Sequence, residues 1–571
     1  MYSIEEIPLT DDFSRALVEK FLSENGLGFE ACGRYFALTD EDGQILAGAG
    51  LDKDLVKCVA VSESLRGDGS SNVLISRIIS VAAESGIFNL KVITKPSNRE
   101  IFESLGFKCI GVSSKAIMLE NGGALDKYLR SLEAHRVEGR AGVIVLNANP
   151  LTWGHDYLVQ AASQDCDKLF LIPVGDERQM FSYPERLQAL CSAFLENLKV
   201  DVLEGSPYTI SRATFPSYFL KSEDEAAKAQ MELDIDIFTR HIAPALGATI
   251  RYVGSEPTDK ATAAYNDMLA AMLPSRGMEL VQVARLAEDG SPISASAVRK
   301  ALSEGSFIKA DMLAHPESMP MMLRHLAVRA LRMELDLPSK PGLVCPDGKG
   351  SHKDMDYALM LRSLDAIGPY FHYFASINPD DDVHKDMIQT GLDAEKAMLE
   401  ATGGVNTHRG AIFALGLMCT AFALCYWDGE TVTPKVLRKK IIFLSEGVPR
   451  SKDSHGALAA KKYKAKGALQ NAREGYPALF NDWLPFWRGV KGRENALMLT
   501  LMKIMSSLED TNILYRKGPQ ALDTARKMAA EAVRNPLKTK ACKSLFESKG
   551  ISPGGSADML ALTILADSLL P

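Results

Sequence analysis

A run of residues suited to binding the phosphates of a nucleotide lies between positions 147 and 155. It reads Asn-Ala-Asn-Pro-Leu-Thr-Trp-Gly-His, and a helix is predicted to begin near His155. The N-terminus of a helix offers free N–H groups and a positive dipole end to a phosphate. Thr152 and His155 lie three positions apart, so both can face that phosphate. Both are predicted catalytic residues, and Asn149 and Gly154 are predicted to contact the nucleotide.

A second helix tip with the same capacity occurs at residues 293–299, which read Ile-Ser-Ala-Ser-Ala-Val-Arg after a Ser-Pro turn. Ser294 is predicted to cap this helix, and Ser296 and Arg299 to hold the phosphates that leave as pyrophosphate. In-line attack on an α-phosphorus builds negative charge on oxygen, so it needs donors of this kind. Taken singly, a structural turn or a capping serine explains each segment equally well. Together they are a stronger signal, and they predict a site that holds the phosphates of a nucleotide while its α-phosphorus is attacked.

Three arginines in the same part of the chain are candidate anion-binding residues. Arg186 and Arg212 are predicted to clamp the nucleotide, and Arg251 is a third candidate. A guanidinium suits this role because it forms paired hydrogen bonds with phosphate or carboxylate oxygens. The alternative for each arginine is a surface ion pair.

A short glycine-rich loop near the N-terminus is a further candidate phosphate site. It reads Arg-Gly-Asp-Gly-Ser over residues 66–70, between a predicted strand and a predicted helix. Successive backbone N–H groups in such a loop can cradle a pyrophosphate. Arg66, Gly67 and Gly69 are therefore predicted ligand contacts, with a degenerate structural domain as the alternative.

The last third of the chain carries a second group of polar clusters, set between apolar helices. Their acids and amides suit Mg²⁺, which takes oxygen ligands and usually bridges to phosphates. The predicted catalytic and metal-binding residues are Asp354, Asp356 and Asp510. The predicted contacts with the nucleotide and its phosphates are Lys340, Asn406, His408 and Arg409. For any one of them, the alternative is a helix cap or a buried polar group that is satisfied within the fold.

The secondary structure that must position these residues changes along the chain. Short apolar runs alternate with helical stretches over residues 141–284, which predicts a doubly wound parallel sheet with ligands beyond the carboxyl ends of its strands. Residues 44–112 read as a separate α/β unit, and long helical patterns replace the strands after residue 316. The predicted domains are α/β over 1–123, nucleotide-binding α/β over 139–315 and all-α over 325–571.

Composition sets limits on the class of protein. A chain of 571 residues is too long for a single core, and a net charge of -7 argues against a dedicated nucleic-acid binder. The nine cysteines include no C-x-x-C pair, so a reducing cytoplasm is expected. Residues 1–12 carry acids and no apolar stretch, so no signal peptide is predicted. Residues 410–427 are uncharged, and a buried core helix is favoured there over a membrane span.

The two helix tips, taken in this order, resemble the HxGH and ISxTxxR signature of the nucleotidyltransferase superfamily, with Thr152 and Ser296 replacing the usual His and Thr. Residues 183–186, 211–219 and 251–257 narrow the resemblance to citrate lyase ligase, across about residues 1–315. That resemblance implies conversion of acetate and ATP to acetyl-adenylate. It further implies acylation of the thiol on the phosphoribosyl-dephospho-CoA group of the lyase's acyl carrier subunit. The glycine-rich loop and residues 101–107 resemble the acetyltransferase fold that binds coenzyme A.

The polar clusters of the last third are similar to those of triphosphoribosyl-dephospho-CoA synthase, across about residues 325–571. The resemblance implies that the ribose C1 of ATP is joined to the 2′-hydroxyl of dephospho-CoA, with release of adenine. A carboxylate near C1, a base and a metal on the triphosphate are the parts such a reaction needs.

The residues leave three other functions open. The same chemistry serves malonate decarboxylase, which carries the same prosthetic group. A nucleotidyltransferase that moves AMP to a phosphorylated acceptor would use the same two helix tips. A non-catalytic scaffold that binds the carrier is the third alternative, and Ser296 in place of Thr is the only sign of it.

Overall fold

The computed structural model describes residues 3–175, 179–205, 208–209, 215–220, 222–257, 259–288, 291–450 and 455–571. The chain divides into two compact units. One unit comprises Met1–Asn149 and Trp153–Ile293, and the other comprises Pro150–Thr152 and Ser294–Pro571.

The N-terminal part of the first unit is a seven-stranded sheet in the order β1-β2-β3-β4-β5-β7-β6. Its strands are β1 (Ser3–Ile7), β2 (Arg34–Thr39), β3 (Ile45–Asp52), β4 (Leu55–Val61), β5 (Leu90–Thr94), β6 (Lys108–Val112) and β7 (Ile117–Asn121). Its helices are α1 (Asp12–Glu24), α2 (Ser70–Glu84), α3 (Arg99–Ser104) and α4 (Ala124–Glu133). Apolar side chains of α2 such as Leu74 and Ile78 pack on one face of this sheet.

Strands β4 and β5 are the one parallel pair in this sheet, and they separate soon after they start. Only Leu55 with Lys91 and Val56 with Val92 are paired, so the carboxyl ends of the two strands diverge. The pairing of β3 with β4 also shifts register beyond Gly48, and Cys58 in β4 has a φ of +52°. A bulge of this kind re-aims backbone N–H groups away from the ladder.

The second part of the first unit is a five-stranded parallel sheet in the order β10-β9-β8-β11-β12. Its strands are β8 (Ala141–Leu146), β9 (Lys168–Pro173), β10 (Val200–Val202), β11 (Ile250–Gly254) and β12 (Glu279–Val283), followed by the hairpin β13 (Ala287–Glu288) and β14 (Ser291–Pro292). Its helices are α5 (Trp153–Asp165), α6 (Tyr183–Phe194), α7 (Glu223–Ile237), α8 (Ala243–Leu246) and α9 (Lys260–Met272). The predicted parallel sheet is confirmed, and its order reverses between β8 and β11, where such sheets bind ligands.

The two sheets of the first unit share one hydrophobic core, and the division into domains 1–123 and 139–315 stays a prediction. Buried side chains of both parts, from Val18 to Met278, form a single cluster. Polar contacts reinforce it, because the Val112 N–H donates to Asp236 at 2.8 Å and the ring of His241 lies 2.8 Å from the Ile110 carbonyl. The first unit is therefore one body with two sheets.

The second unit is helical. Its helices are α10 (Ala295–Ser303), α11 (Phe307–Asp311), α12 (Met319–Leu335), α13 (Tyr357–Ile367), α14 (Tyr370–Ala375), α15 (Val383–Thr402), α16 (Arg409–Trp427), α17 (Pro434–Glu446), α18 (His455–Tyr463), α19 (Ala468–Arg473), α20 (Leu484–Val490), α21 (Ala496–Ser507), α22 (Thr511–Lys517), α23 (Pro519–Arg534), α24 (Thr539–Lys549) and α25 (Gly554–Leu569). Single turns of 3₁₀ helix at Glu63–Leu65, Pro96–Asn98, Pro274–Arg276, Pro316–Ser318 and Pro536–Lys538, and π-helical turns at Phe238–Ile242 and Leu479–Trp483, complete the two units.

The domain boundary predicted at residue 315 stays a prediction, and residues 294–315 group by their contacts with the helical unit. The reason is aromatic packing. Phe307 contacts Phe422 edge-on with ring centroids 4.7 Å apart, and the Tyr426 hydroxyl donates to Asp311 at 2.8 Å. These contacts fix α11 on α16.

Helix α16 is the apolar segment for which a core helix was favoured over a membrane span. It is long and apolar enough to cross a bilayer, but 78% of its most apolar 18-residue stretch is buried inside the protein. Gly416 admits the Phe374 ring, since a Cβ there would lie 2.6 Å from ring carbons, and the Thr420 hydroxyl donates to the Phe374 carbonyl at 3.0 Å. The helix therefore has the packing of a core element.

Candidate active sites

The carboxyl ends of β8 and β9 are tied together by a buried arginine. Arg186 has no exposed surface, and its guanidinium donates to the carbonyls of Asn147 at 2.6 Å, Val174 at 2.9 Å and Phe181 at 3.3 Å. Its N–H groups therefore hydrogen-bond the backbone carbonyls that follow the strands. This geometry does not support the predicted contact with a nucleotide. Arg251 is likewise 3% exposed, over the Phe238 ring at 4.4 Å.

Asn149 forms hydrogen bonds with the loop that follows β9 at the same edge of the sheet. It is 3% exposed, its amide donates to Gln179 Oε1 at 2.6 Å, and its Oδ1 accepts from the Phe181 N–H at 3.2 Å. These bonds hold the segment that leads into α6. Contact between Asn149 and a nucleotide stays a prediction.

His155 lies in the first turn of α5 and is half-buried. Burial, with the charge of Arg285 as a second cause, lowers the pKa of its imidazole to about 4. The ring is therefore neutral near pH 7 and can serve as a hydrogen-bond partner. Gly154 precedes it in the same helix.

Arg285 is a site residue that sequence reasoning missed. It follows β12 directly, its backbone N–H donates to Ser255 Oγ at 3.0 Å, and its guanidinium is ion-paired with Glu256. Its position at the carboxyl end of a parallel strand is the signal that could have found it. The pair of His155 and Arg285 places a neutral ring and a cation together at this edge of the sheet.

Thr152 and the second helix tip lie in the other compact unit. Thr152 is 1% exposed and forms a bridge with Ala314. Ser294 caps α10 by accepting from the Ala297 N–H at 3.2 Å, as predicted. The Arg299 guanidinium donates to the exposed Ser296 hydroxyl at 3.0 Å, and partial burial lowers the pKa of Arg299. Both side chains are thus arranged at the start of α10.

The N-terminal loop has the open geometry expected of it. Gly67 and Gly69 have φ of +88° and +90°, and no atom approaches within 4 Å of where their Cβ atoms would be. Gly69 precedes the first residue of α2, and Asp68 accepts from the Ser70 N–H at 2.8 Å. Arg66 stands exposed at the start of this turn. Binding of a phosphate there stays a prediction.

Arg212 lies outside the described residues, but the chain after it is anchored on the N-terminal sheet. The Ser217 N–H donates to Glu30 Oε1 at 2.6 Å, and the Tyr218 carbonyl accepts from the Gly28 N–H at 2.8 Å. Burial raises the pKa of the Tyr218 hydroxyl, and the backbone of Cys58 and Val59 at the bulge of β4 opposes that rise.

In the helical unit, Asp510 is the most buried of the predicted acidic residues, at 2% exposure. Its Oδ1 accepts from the N–H groups of Asn512 at 3.0 Å and Ile513 at 3.4 Å, so it caps α22. Its Oδ2 accepts from both the N–H and the hydroxyl of Ser556. Burial raises the pKa of Asp510, and these hydrogen bonds oppose that rise.

Asp558 lies near Asp510 and was not among the predicted site residues. The pKa of this half-buried residue is raised well above its usual value by burial and by the charges of Glu334 and Asp510. Gly410, the second residue of α16, makes room for it, because a Cβ at Gly410 would lie 2.0 Å from Asp558 Oδ2. The signal that could have found Asp558 is its position one turn into the helix after Gly554-Gly555.

Lys340 and His408 occupy the same polar interior. Lys340 is 1% exposed, and its Nζ lies 2.5 Å from Glu334 Oε1 and 2.8 Å from the Glu334 carbonyl. Burial, with the Lys340 charge as a second cause, lowers the pKa of His408 to about 4, and its Nδ1 lies 2.7 Å from Ser363 Oγ. Lys340 therefore neutralises Glu334, and the geometry does not show it free to bind a phosphate.

Asn406 and Arg409 shape the start of α16. The exposed Asn406 accepts from the Arg409 N–H at 3.4 Å, and Arg409 Nε lies 2.8 Å from Glu395 Oε2. Arg409 is thus paired within the fold.

Asp354 and Asp356 lie on the surface and do not contact Asp510. Asp356 caps α13 by accepting from the Leu359 N–H at 3.0 Å and pairs with Lys349 at 3.4 Å. Asp354 is 58% exposed, with His352 at 3.9 Å. Across the part of the chain that the structure describes, no three His, Cys, Asp or Glu side chains converge as ligands of a metal ion. The predicted metal set is not assembled.

Two family models match the chain, one after the other. The citrate lyase ligase C-terminal domain matches residues 141–318. ATP:dephospho-CoA triphosphoribosyl transferase matches residues 320–571.

Individual relatives follow the same division. The [citrate [pro-3S]-lyase] ligase of Escherichia coli K12 is 36% identical over 318 residues, which cover 54% of this chain and 89% of that protein. The same ligase from Haemophilus influenzae is 37% identical, covering 52% and 91%. The 2-(5''-triphosphoribosyl)-3'-dephosphocoenzyme-A synthase of Klebsiella pneumoniae is 34% identical over 273 residues, covering 44% and 96%.

Solved structures similar to part of the chain include a putative acyl-CoA N-acyltransferase from Klebsiella pneumoniae, with 16% identity and a TM-score of 0.19. It covers 21% of this chain and 97% of its own. Escherichia coli ElaA gives 14% identity and a TM-score of 0.19, covering 21% and 99%.

Proposed function

We propose two linked reactions for this chain, which belongs to the citrate lyase ligase family through its N-terminal half and to the triphosphoribosyl-dephospho-CoA synthase family through its C-terminal part. The chain is a fusion of the two enzymes, and their common purpose is maturation of the citrate lyase prosthetic group. One observation carries the proposal: 89% of a ligase and 96% of a synthase are covered in succession by a single chain.

The first reaction is activation of acetate. Acetate attacks the α-phosphorus of ATP, giving acetyl-adenylate and pyrophosphate, and a thiol on the prosthetic group of the lyase's acyl carrier subunit then takes the acetyl group and releases AMP. The neutral His155 and the cationic Arg285 support this site, because developing charge on phosphate oxygens needs fixed donors. Thr152, Ser294, Ser296 and Arg299 lie in the other compact unit, and their part in adenylyl transfer stays a prediction.

The second reaction joins ATP to dephospho-CoA. The 2′-hydroxyl of dephospho-CoA attacks C1′ of the ATP ribose, the bond from C1′ to the purine nitrogen breaks, and adenine leaves. Asp510 is proposed as the negative charge beside C1′, since its four hydrogen bonds favour the ionised carboxylate in an otherwise buried place. A carboxylate in this position stabilises an oxocarbenium-like centre.

Magnesium is expected to accompany ATP in both reactions. Mg²⁺ is usually held by one or two carboxylates together with substrate phosphates. The described residues form no cage for it, so we propose no protein ligands for the ion.

The N-terminal part of the first unit is proposed to receive the dephospho-CoA-like arm of the carrier, as an acetyltransferase-like domain would. The diverging ends of β4 and β5 and the open loop at Gly67 and Gly69 support this. Tyr218, which reaches the bulge of β4 from beyond β10, would then link this part to the adenylyl-transfer site. The nine free cysteines fit a cytoplasmic location.

Two incubations test the proposed function. With ATP and dephospho-CoA, mass detection should find free adenine and the triphosphoribosyl product. With ATP, acetate and purified acyl carrier subunit, it should find AMP and a carrier heavier by one acetyl group. AMP covalently attached to a product would favour a nucleotidyltransferase instead, and parallel assays with the carriers of citrate lyase and malonate decarboxylase identify the client.

A further inference from the structure

Two carboxyl groups in the helical unit have opposite environments. Asp510 accepts four hydrogen bonds. Asp558 receives none from the described residues, and the charges of Glu334 and Asp510 both act on it. When two carboxyl groups share a site, the one with donors ionises first and the other retains its proton. The pair therefore has the asymmetry of an acid and a base.

A buried tyrosine hydroxyl in the same helical unit provides an independent sign of a ligand. Tyr476 is 2% exposed, and within the described part of the chain its hydroxyl has no hydrogen-bond partner. Asp558 is the charged residue that acts on this hydroxyl. A buried hydroxyl without a partner is costly to keep unless a bound molecule completes it. The backbone of Tyr476 also has a φ of +47°, a strained conformation of the kind found at functional sites.

We propose that Asp558 is the proton donor to the purine base that leaves in the second reaction, with the Tyr476 hydroxyl as another contact of that base. The inference rests on the proposed function, since it assigns a role within the adenine-releasing reaction. Neither residue was among the predicted site residues.

The proton balance of the step is complete. As the oxygen of the 2′-hydroxyl bonds to C1′, the bond from C1′ to the purine nitrogen breaks and its electron pair goes to the base. Asp558 gives its proton to that base, which leaves as neutral adenine. The hydroxyl proton passes to solvent, from which the Asp558 carboxylate is reprotonated. Asp510 takes no part in this proton transfer.

The charged and titratable groups around Asp558 favour its protonated form. Glu334 of α12 and Asp510 before α22 are acids, and the nearby Lys340 is already paired with Glu334. Tyr476 is neutral, because burial raises the pKa of its hydroxyl. The N-terminus of α16 at Gly410 favours the ionised form of Asp558, since a helix N-terminus stabilises an anion. The pKa of Asp558 nevertheless stays well above its usual value.

The test uses the full-length protein and compares two substrates that differ in their leaving group. Asp558→Asn should slow adenine release from ATP by about 10²-fold or more, the size of a lost general acid. The triphosphate of p-nitrophenyl riboside has a leaving group that departs without protonation, so its cleavage by the same variant should fall by less than about tenfold. Tyr476→Phe should weaken adenine release and spare the nitrophenyl substrate in the same way.

Controls separate this inference from the proposed function. Asp510→Asn should slow both substrates equally, and the surface substitution Asp523→Asn, on α23, should slow neither. Thermal unfolding of each variant shows whether it is folded. Equal slowing of both substrates by Asp558→Asn would overturn the inference, as would unchanged adenine release. If the wild-type chain releases no adenine from ATP and dephospho-CoA, the proposed function itself fails.

Discussion

Ser556 donates two hydrogen bonds to a single oxygen of Asp510, from its N–H at 2.9 Å and from its hydroxyl at 3.0 Å. Asp510 precedes α22 and Ser556 lies in the first turn of α25, so this pair joins two helices that are distant in sequence. The same carboxylate is therefore a structural joint and the proposed negative charge of the second site.

Asp510→Asn should suppress adenine release and leave acetate-dependent release of pyrophosphate unchanged. The substitution removes the charge and turns an acceptor into an amide whose N–H₂ would face two donors. We also expect a loss of about 1–3 kcal/mol of stability, because buried donors lose their partner. Product assays for both reactions and denaturant unfolding measure these effects. A normal rate of adenine release would show that Asp510 is not part of the catalytic site.

His155→Ala should abolish acetate-dependent release of pyrophosphate while adenine release continues. Loss of one donor to a developing phosphate charge costs about 3 kcal/mol, or roughly 10²-fold in rate. A pyrophosphate-coupled assay beside the adenine assay makes the comparison. Equal loss of both activities would contradict separate sites.

The first reaction should show no step in rate near pH 6.5, the usual pKa of histidine. Because the pKa of His155 is lowered to about 4, its imidazole is already neutral at that pH and gains a proton only well below it. Activity that depends on the neutral ring should thus persist as pH falls through about 6.5 and decline only toward about 4. A titration of the His155 ring by NMR checks the same value directly.

Arg186→Gln should destabilise the first unit more than it weakens ATP binding. The guanidinium satisfies three buried backbone carbonyls, and leaving such groups unpaired costs about 1–3 kcal/mol each. The melting temperature and the ATP affinity of the folded protein are the measurements. A normal melting temperature combined with lost ATP affinity would restore the original prediction of a nucleotide clamp.

Gly410→Ala should reduce adenine release by displacing Asp558, since the new methyl carbon would lie 2.0 Å from Oδ2. Gly489→Ala is the matched control, because Gly489 lies on the exposed side of helix α20 with no atom within 4 Å of its Cβ position. Adenine release at equal protein concentration, with unfolding curves for both variants, gives the comparison. Equal activity of the two variants would show that Asp558 tolerates the shift.

The strands of both sheets were predictable where the apolar runs were short and bounded. Apolar runs at residues 55–61, 90–94 and 108–112 predict strands that coincide with β4, β5 and β6. The runs at 142–147 and 168–174 differ from β8 and β9 by one residue at their ends. Strands β8 and β9 are parallel strands buried on both faces, which makes their apolar runs continuous and easy to recognise in sequence. Strands β1, β2 and β7 lie outside residues 44–112, where the pattern predicts the α/β unit.

The site residues were harder to predict because residue type does not reveal the partner. Lys340 has the charge to bind a phosphate, but the fold places Glu334 against it. Asp356 has the oxygen atoms of a metal ligand and uses them to cap α13. Asp558 is a candidate because the charges of Glu334 and Asp510 act on it. Arg285 is a candidate because its charge acts on His155. These neighbours are distant in sequence, so residue type alone does not reveal them.

The packing of Phe307 on Phe422 also bears on how this chain can be divided. The ligase family match ends at residue 318, so an engineer who separates the two enzymes would cut there. Such a cut would expose Phe307 to water and deprive Asp311 of the Tyr426 hydroxyl. The detached ligase piece would then end in an exposed apolar segment. We expect it to aggregate unless the synthase piece is produced alongside it.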